Sequence, residues 1–242
     1  MWSETRRPEY LSQVVGHEEV KEKLTTYLAR KPYRSVLLLH GPPGIGKTTM
    51  ALASVRSASM EPLEINASQS MRSHEDVAQL INSCRHTRTL SSFIRGDDKS
   101  MCLILDEVDG SDPHAQKKLT EWMASDDRHV PVIMTCNEVP RIMKSNPQIH
   151  LLRCFPPKPT EMLQLFQAYD VQQVTELAKR FKHDVRRMML FLQYGESHSL
   201  PHSTRPTECS PEVAYVLEQK MWVEVDPLLR SSVSSHALPV AQ

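Results

Sequence analysis

The 242-residue chain balances 29 Lys and Arg against 29 Asp and Glu, with 40% apolar and 24% charged residues. This is an ordinary globular composition with room for a self-sufficient core, and the neutral sum excludes nucleic-acid binding by overall charge, leaving only a local patch to do it. The N-terminus lacks a signal peptide's apolar run, nothing approaches the roughly 20 apolar residues of a membrane span, and Cys84, Cys102, Cys136, Cys154 and Cys209 lack zinc-ligand spacing, so a soluble intracellular protein with reduced thiols is expected.

Along the chain, a helix-like stretch at 17–31 precedes the apolar run SVLLLH (35–40) and the turn GPPGIGKTT (41–49). Helix-like segments at 47–59, 74–87 and 113–125 then alternate with the runs PLEIN (62–66), SMCLILD (100–106) and VPVIMTCN (130–137). Short apolar strands alternating with amphipathic helices predict an α/β fold, a parallel sheet covered on both faces. The prolines of CFPPKP (154–159) end the pattern at a hinge. Three amphipathic segments over 160–194 predict a small helical bundle, with Asp170 and Asp184 as N-caps. A polar linker (195–211), one helix (PEVAYVLEQKMW) and a disordered tail complete the expected layout. The expected divisions are 1–158, 159–195 and 196–242.

GPPGIGKT fits G-x-x-x-x-G-K-[ST], follows a predicted strand and opens a predicted helix, the context that a phosphate loop requires. A Gly/Pro turn leaves successive N–H groups pointing inward as an anion nest, and the helix adds its positive end. Gly41, Pro42, Pro43, Gly44, Ile45, Gly46, Lys47, Thr48 and Thr49 are therefore the expected contacts to ATP. Lys47 reaches the β- and γ-phosphates, and the Thr48 hydroxyl is an expected Mg²⁺ ligand. In a parallel sheet all strand ends share one edge, which places Asp106 and Glu107 beside the loop. Asp106 is expected to hold the magnesium and Glu107 to take a proton from the attacking water. Asn137, ending a third apolar strand, is a candidate contact to the γ-phosphate or water. Asp109 reads as a surface acid and helix cap.

WSETRRPEYLSQVVGHEEV resembles the opening box of AAA+ clamp-loader (replication factor C) subunits, with Trp2, Arg7, Pro8, Leu11, Val14, Val15 and Gly16 at matching spacing. LEINASQSMRS looks like that family's second-strand segment and DVRRMMLFLQ like its lid helix. The resemblance, over about residues 2–194, implies a P-loop AAA+ domain followed by a small α-helical lid. It also implies base and ribose contacts from Ser3 and Val15, and a γ-phosphate contact from Arg186. DEVDG, VPVIMTCN and NASQSMRS look like the large subunit. The place of the small subunits' Ser-Arg-Cys finger holds QIH (148–150), and Arg153, four residues later, reads as a strand-end arginine, with a displaced finger as the alternative. AQKKLTEWM (115–123) looks like a small subunit.

Further implications are a slow ATPase completed by partner subunits, a sliding clamp, and primer–template DNA held through its backbone by Arg72, Lys117 and Lys118. No membrane is implied; the location would be the nucleus, or a replication site if the source is viral. The family's helical collar does not fit in the residues after 195, so a shortened form is expected. Another AAA+ remodeller, or a nucleotide-gated adaptor without required hydrolysis, are the alternative readings.

Overall fold

The computed structural model describes residues 7–84, 100–124, 130–167 and 169–197. The expected linker, C-terminal helix and tail, together with Trp2, Ser3 and Cys209, lie outside those residues. The described residues up to Tyr194 belong to one compact unit.

Five strands, β1 (Val36–His40), β2 (Glu61–Asn66), β3 (Met101–Asp106), β4 (Val132–Cys136) and β5 (Ile149–Arg153), form one sheet in the order β2-β3-β4-β1-β5. Every pairing is parallel. The register sets Asn66 beside Asp106, and His40 beside both Cys136 and Arg153, so the carboxyl ends form one row. β5 lies at an edge and buries only Ile149 and Leu152, and Arg153 is a strand-end residue stacked over Phe155.

Side-chain alternation along the strands sorts the core into two layers. Leu38, Leu103, Leu105, Val132 and Met134 face one side with Val77, Leu80 and Leu119. Leu37, Leu39, Ile104 and Ile133 face the other with Leu24, Met50 and Val55. The covering helices are α1 (Glu18–Ala29), α2 (Lys47–Ser57), α3 (His74–Cys84) and α4 (Pro113–Met123). Two of them, α3 and α4, begin at side-chain caps. Asp112 accepts from the amides of His114 and Ala115 ahead of Pro113, and Ser73 and Asp76 cap reciprocally at the head of α3.

Beyond the prolines, α5 (Val171–Arg180) and α6 (Val185–Ser197) bury Phe166, Val174, Leu177, Met188 and Leu192 in a third cluster. Asp170 caps α5 in a box with Gln173, and Asp184 accepts the Arg187 amide at the head of α6. The segment expected as a first bundle helix is helical only over Pro159–Met162 and continues as turns. No described helix is long and apolar enough to cross a membrane.

Ile133 is fully buried in the central strand, so Ile133→Ala is expected to destabilise the fold by about 3 kcal/mol, measured as a lower urea midpoint with unchanged slope.

Candidate functional site

The turn after β1 closes over the sheet edge because its glycines allow two close approaches. A Cβ on Gly41, whose φ is +150°, would lie 2.4 Å from the Cys154 carbonyl oxygen. A Cβ on Gly44 (φ +72°) would lie 1.9 Å from the Asp184 carboxylate, so the head of α6 rests against the turn. The Val185 amide also donates to the Gly44 carbonyl at 3.1 Å. From the other side, the imidazole Nε2 of His17 lies 3.1 Å from the Ile45 carbonyl. A carbonyl only accepts, so that nitrogen carries the proton. Arg7 Nε donates to Thr49 Oγ1 at 3.3 Å.

Lys47, the first residue of α2, is only 8% exposed. Its ammonium donates to the carbonyls of Gly41 (2.8 Å) and Pro42 (2.7 Å) and to Asn137 Oδ1 (3.0 Å). Burial lowers its pKa, while Asp109 and Asp106 pull it back up. Two thiols lie close by, but burial pushes Cys136 up to about 12 and Cys154 up to about 11. Both stay neutral at physiological pH, so neither offsets the lysine's charge.

The two adjacent acids end in different surroundings. Asp106 accepts from Thr48 Oγ1 at 2.7 Å and from Thr135 Oγ1, which ties the helix and β4 to the tip of β3. Glu107 adopts a left-handed conformation (φ +56°), and its carboxylate turns toward β2. There it accepts from Asn66 Nδ2 (3.1 Å) and Ser68 Oγ (3.3 Å). Asp109 is not a helix cap: its Oδ2 accepts the amides of Asn137 (3.0 Å) and Glu138 (3.2 Å), the first residues beyond β4.

These groups line a cleft of about 200 Å³. Gly44, Lys47, Thr48, Asp106, Glu107 and Asn137 face it, and Val15 and Arg186 lie on its walls. The other walls include Arg7, Pro8, Leu165 and Met189. Arg72 and Lys117 are exposed, and Lys118 is partly so, away from this cleft on the α3 and α4 side of the sheet. Sequence reasoning missed Asn66, Ser68, Thr135 and Asp184 as neighbours of the site. Of these, Asn66 and Thr135 carried a signal, as polar residues in apolar runs.

A magnesium ion fits the donor set, because a hydroxyl and a carboxylate in mutual contact are hard oxygen ligands. No group of three His, Cys, Asp or Glu that could hold a metal occurs among the described residues. The remaining ligands would therefore have to be phosphate and water.

The contact at Gly44 makes a direct test. Gly44→Ala is expected to strip the Val185 amide of hydrogen-exchange protection, and Asp184→Gly in the same chain to restore most of it. A second test follows from His17 and His40, which burial holds below the ordinary imidazole value of 6.5. Between the depressed values and 6.5 the unfolded chain binds more protons, so stability falls as pH falls through that window. Gln at both positions is expected to flatten that slope, read from urea midpoints between about pH 5 and 7.5.

Residues 37–154 match the family model for ATPases associated with various cellular activities (AAA). Among curated proteins, the chain is 31% identical over 145 residues to the replication factor C large subunit of Thermofilum pendens, covering 57% of this chain and 33% of that protein. The corresponding subunit of Sulfolobus acidocaldarius is 35% identical over 147 residues, with 57% and 31% covered. That of Thermococcus kodakarensis is 30% identical over 156 residues, with 61% and 30% covered. The chain thus spans about a third of the length of these relatives. Among solved structures, the RuvB Holliday junction branch migration motor of Thermotoga maritima superposes with a TM-score of 0.55 at 19% identity, covering 75% of this chain and 62% of that one. At that identity the likeness speaks for the fold alone.

Proposed function

We propose that the chain, which matches the AAA ATPase family model over residues 37–154 and is similar to replication factor C large subunits over part of their length, works as a clamp-loader subunit. In this reading it binds ATP with magnesium and, with other clamp-loader subunits, uses binding and hydrolysis to place a sliding clamp on primer–template DNA. In this reading residues 1–158 are the nucleotide-binding domain and 159–195 a helical lid. One observation carries the reading: Lys47, the Thr48–Asp106 pair, Glu107 and Asn137 converge at one sheet edge, around a single cleft.

In this reading the residues divide the work as follows. Lys47 exchanges its carbonyl partners for phosphate oxygens, and the amides at the head of α2 take up the remaining phosphate charge. Thr48 and Asp106 would hold the metal, which when bound neutralises phosphate charge. Glu107 must leave Asn66 and Ser68 before it can accept a proton from water. Asn137 and Arg186 supply polar contacts to the γ-phosphate, and Val15, with Ser3, contacts the base and ribose. Arg72, Lys117 and Lys118 contact DNA phosphates, a salt-sensitive interaction. An arginine from a neighbouring subunit, worth about 10³–10⁵ in rate in such enzymes, completes the site.

The chain alone is therefore expected to bind ATP and hydrolyse it slowly. Lys47→Ala should weaken binding by about tenfold or more, while Glu107→Gln keeps affinity and lowers turnover by about 10²-fold or more. Nucleotide titration with single-turnover hydrolysis tests the first part. Clamp loading onto primed DNA with the co-purified partners tests the second. Brisk turnover by the monomer would refute the subunit-completed site, and full loading activity in Glu107→Gln would favour an adaptor that needs no hydrolysis.

A further inference from the structure

We propose that Asp109 is a positioning residue for Asn137, holding the turn after β4 so that the Asn137 side chain stays against Lys47. Its catalytic meaning rests on the ATPase reading above, whereas its structural part does not.

Strand pairing gives out where Asp109 acts. The β1–β4 register ends at His40 and Cys136, and the β3–β4 register ends at Leu105 and Met134. The amides of Asn137 and Glu138 therefore lie past the last ladder pair, and both donate to the single oxygen Oδ2 of Asp109, at 3.0 and 3.2 Å. Bonds from two amides to one carboxylate are charge-assisted and stronger than neutral ones. At the far end of the same residue, Asn137 Oδ1 accepts from Lys47 at 3.0 Å. Backbone and side chain of Asn137 are thus held by opposite charges, one on each side.

The carboxylate stands on a fixed base. Val108 is fully buried, and its carbonyl accepts from Ser111 Oγ (2.7 Å) and Gln116 Nε2 (3.2 Å). Glu107, two residues before Asp109, is tied to the same neighbour strand, its amide donating to Thr135 Oγ1 at 3.3 Å. The short 3₁₀ turn Val108–Gly110 takes no side-chain cap at its head, and the Asp109 carboxylate reaches across to the next strand. A surface acid serving its own turn would not point there. The consequence is that the residue bearing the proposed general base and the residue bearing the proposed phosphate sensor keep a fixed relative position. Such placement matters because a displacement on the order of 1 Å can lower a rate about 10²-fold.

The test uses the full chain as wild type and as Asp109→Ala, Asp109→Asn, Asn137→Ala and the Asp109→Ala/Asn137→Ala double variant. ATP affinity, hydrolysis rate and amide hydrogen exchange at 137–138 are measured on each. Asp109→Ala is expected to keep affinity within about threefold, lower hydrolysis by about tenfold or more and expose both amides to exchange. Asp109→Asn, which retains an acceptor oxygen, should recover most of the rate. The double variant should be hardly slower than Asn137→Ala, because both losses act through one side chain. Wild-type turnover in Asp109→Ala, losses that multiply in the double variant, or a loss confined to ATP affinity would each overturn the proposal. If the wild type shows no turnover at all, the ATPase reading fails and takes the catalytic role with it. Amides exposed only in the Asp109 variants would still support the clasp.

Discussion

A desolvated ammonium organises this sheet edge. Removing a charge from water is costly unless its donors are satisfied, and Lys47 has little water to turn to. Its three protons meet two carbonyls of its own turn and the amide oxygen of Asn137, just past β4. These partners are neutral dipoles, so the positive charge is solvated without being cancelled. The neighbouring thiols, kept protonated by burial, leave it uncancelled too. A site of this kind favours an anion over any neutral ligand, and the helix that begins at Lys47 adds to the same field.

The same economy of contacts distinguishes two acids that are adjacent in sequence. Asp106 ends its strand in regular conformation and receives two hydroxyls, which fix its carboxylate in place. Glu107 turns out of the strand through a left-handed backbone and is received by β2. That conformation is uncommon for a residue with a side chain and is sustained by the neighbours that surround it. One carboxylate is thereby suited to holding a cation. The other is held by two breakable hydrogen bonds and stays exposed to solvent, which suits a group that must move to work.

The parts of the fold most legible in sequence were those in which neighbours along the chain suffice. SVLLLH, SMCLILD and VPVIMTCN are continuous apolar runs because the strands they form are covered on both faces. Asp112 before Pro113, and Asp170 before Gln173, mark helix starts by chemistry within three residues. β5 was harder to read: as an edge strand it needs only two buried positions, and IHLLR carries no continuous apolar signal. The segment at 160–170 has helical spacing but folds largely as turns, where burial of Met162 and Phe166 matters more than period. The polar neighbours of the site were hidden for a topological reason. Asn66, Glu107 and Thr135 are brought together only because β2, β3 and β4 are adjacent, and the spacing along the chain does not encode that order.

The contact between Gly44 and Asp184 joins the two halves of the compact unit at their most sensitive point. The carbonyl of Gly44 points to the Val185 amide. The head of α6 thus completes the outer side of the turn, and Asp184 occupies the space that any side chain at position 44 would need. Arg186 follows two residues later on the same helix and lines the cleft. A shift of α6 therefore cannot occur without altering either the turn's outer hydrogen bond or the position of an arginine at its mouth. The coupling is mechanical and local, carried by one hydrogen bond and one missing side chain.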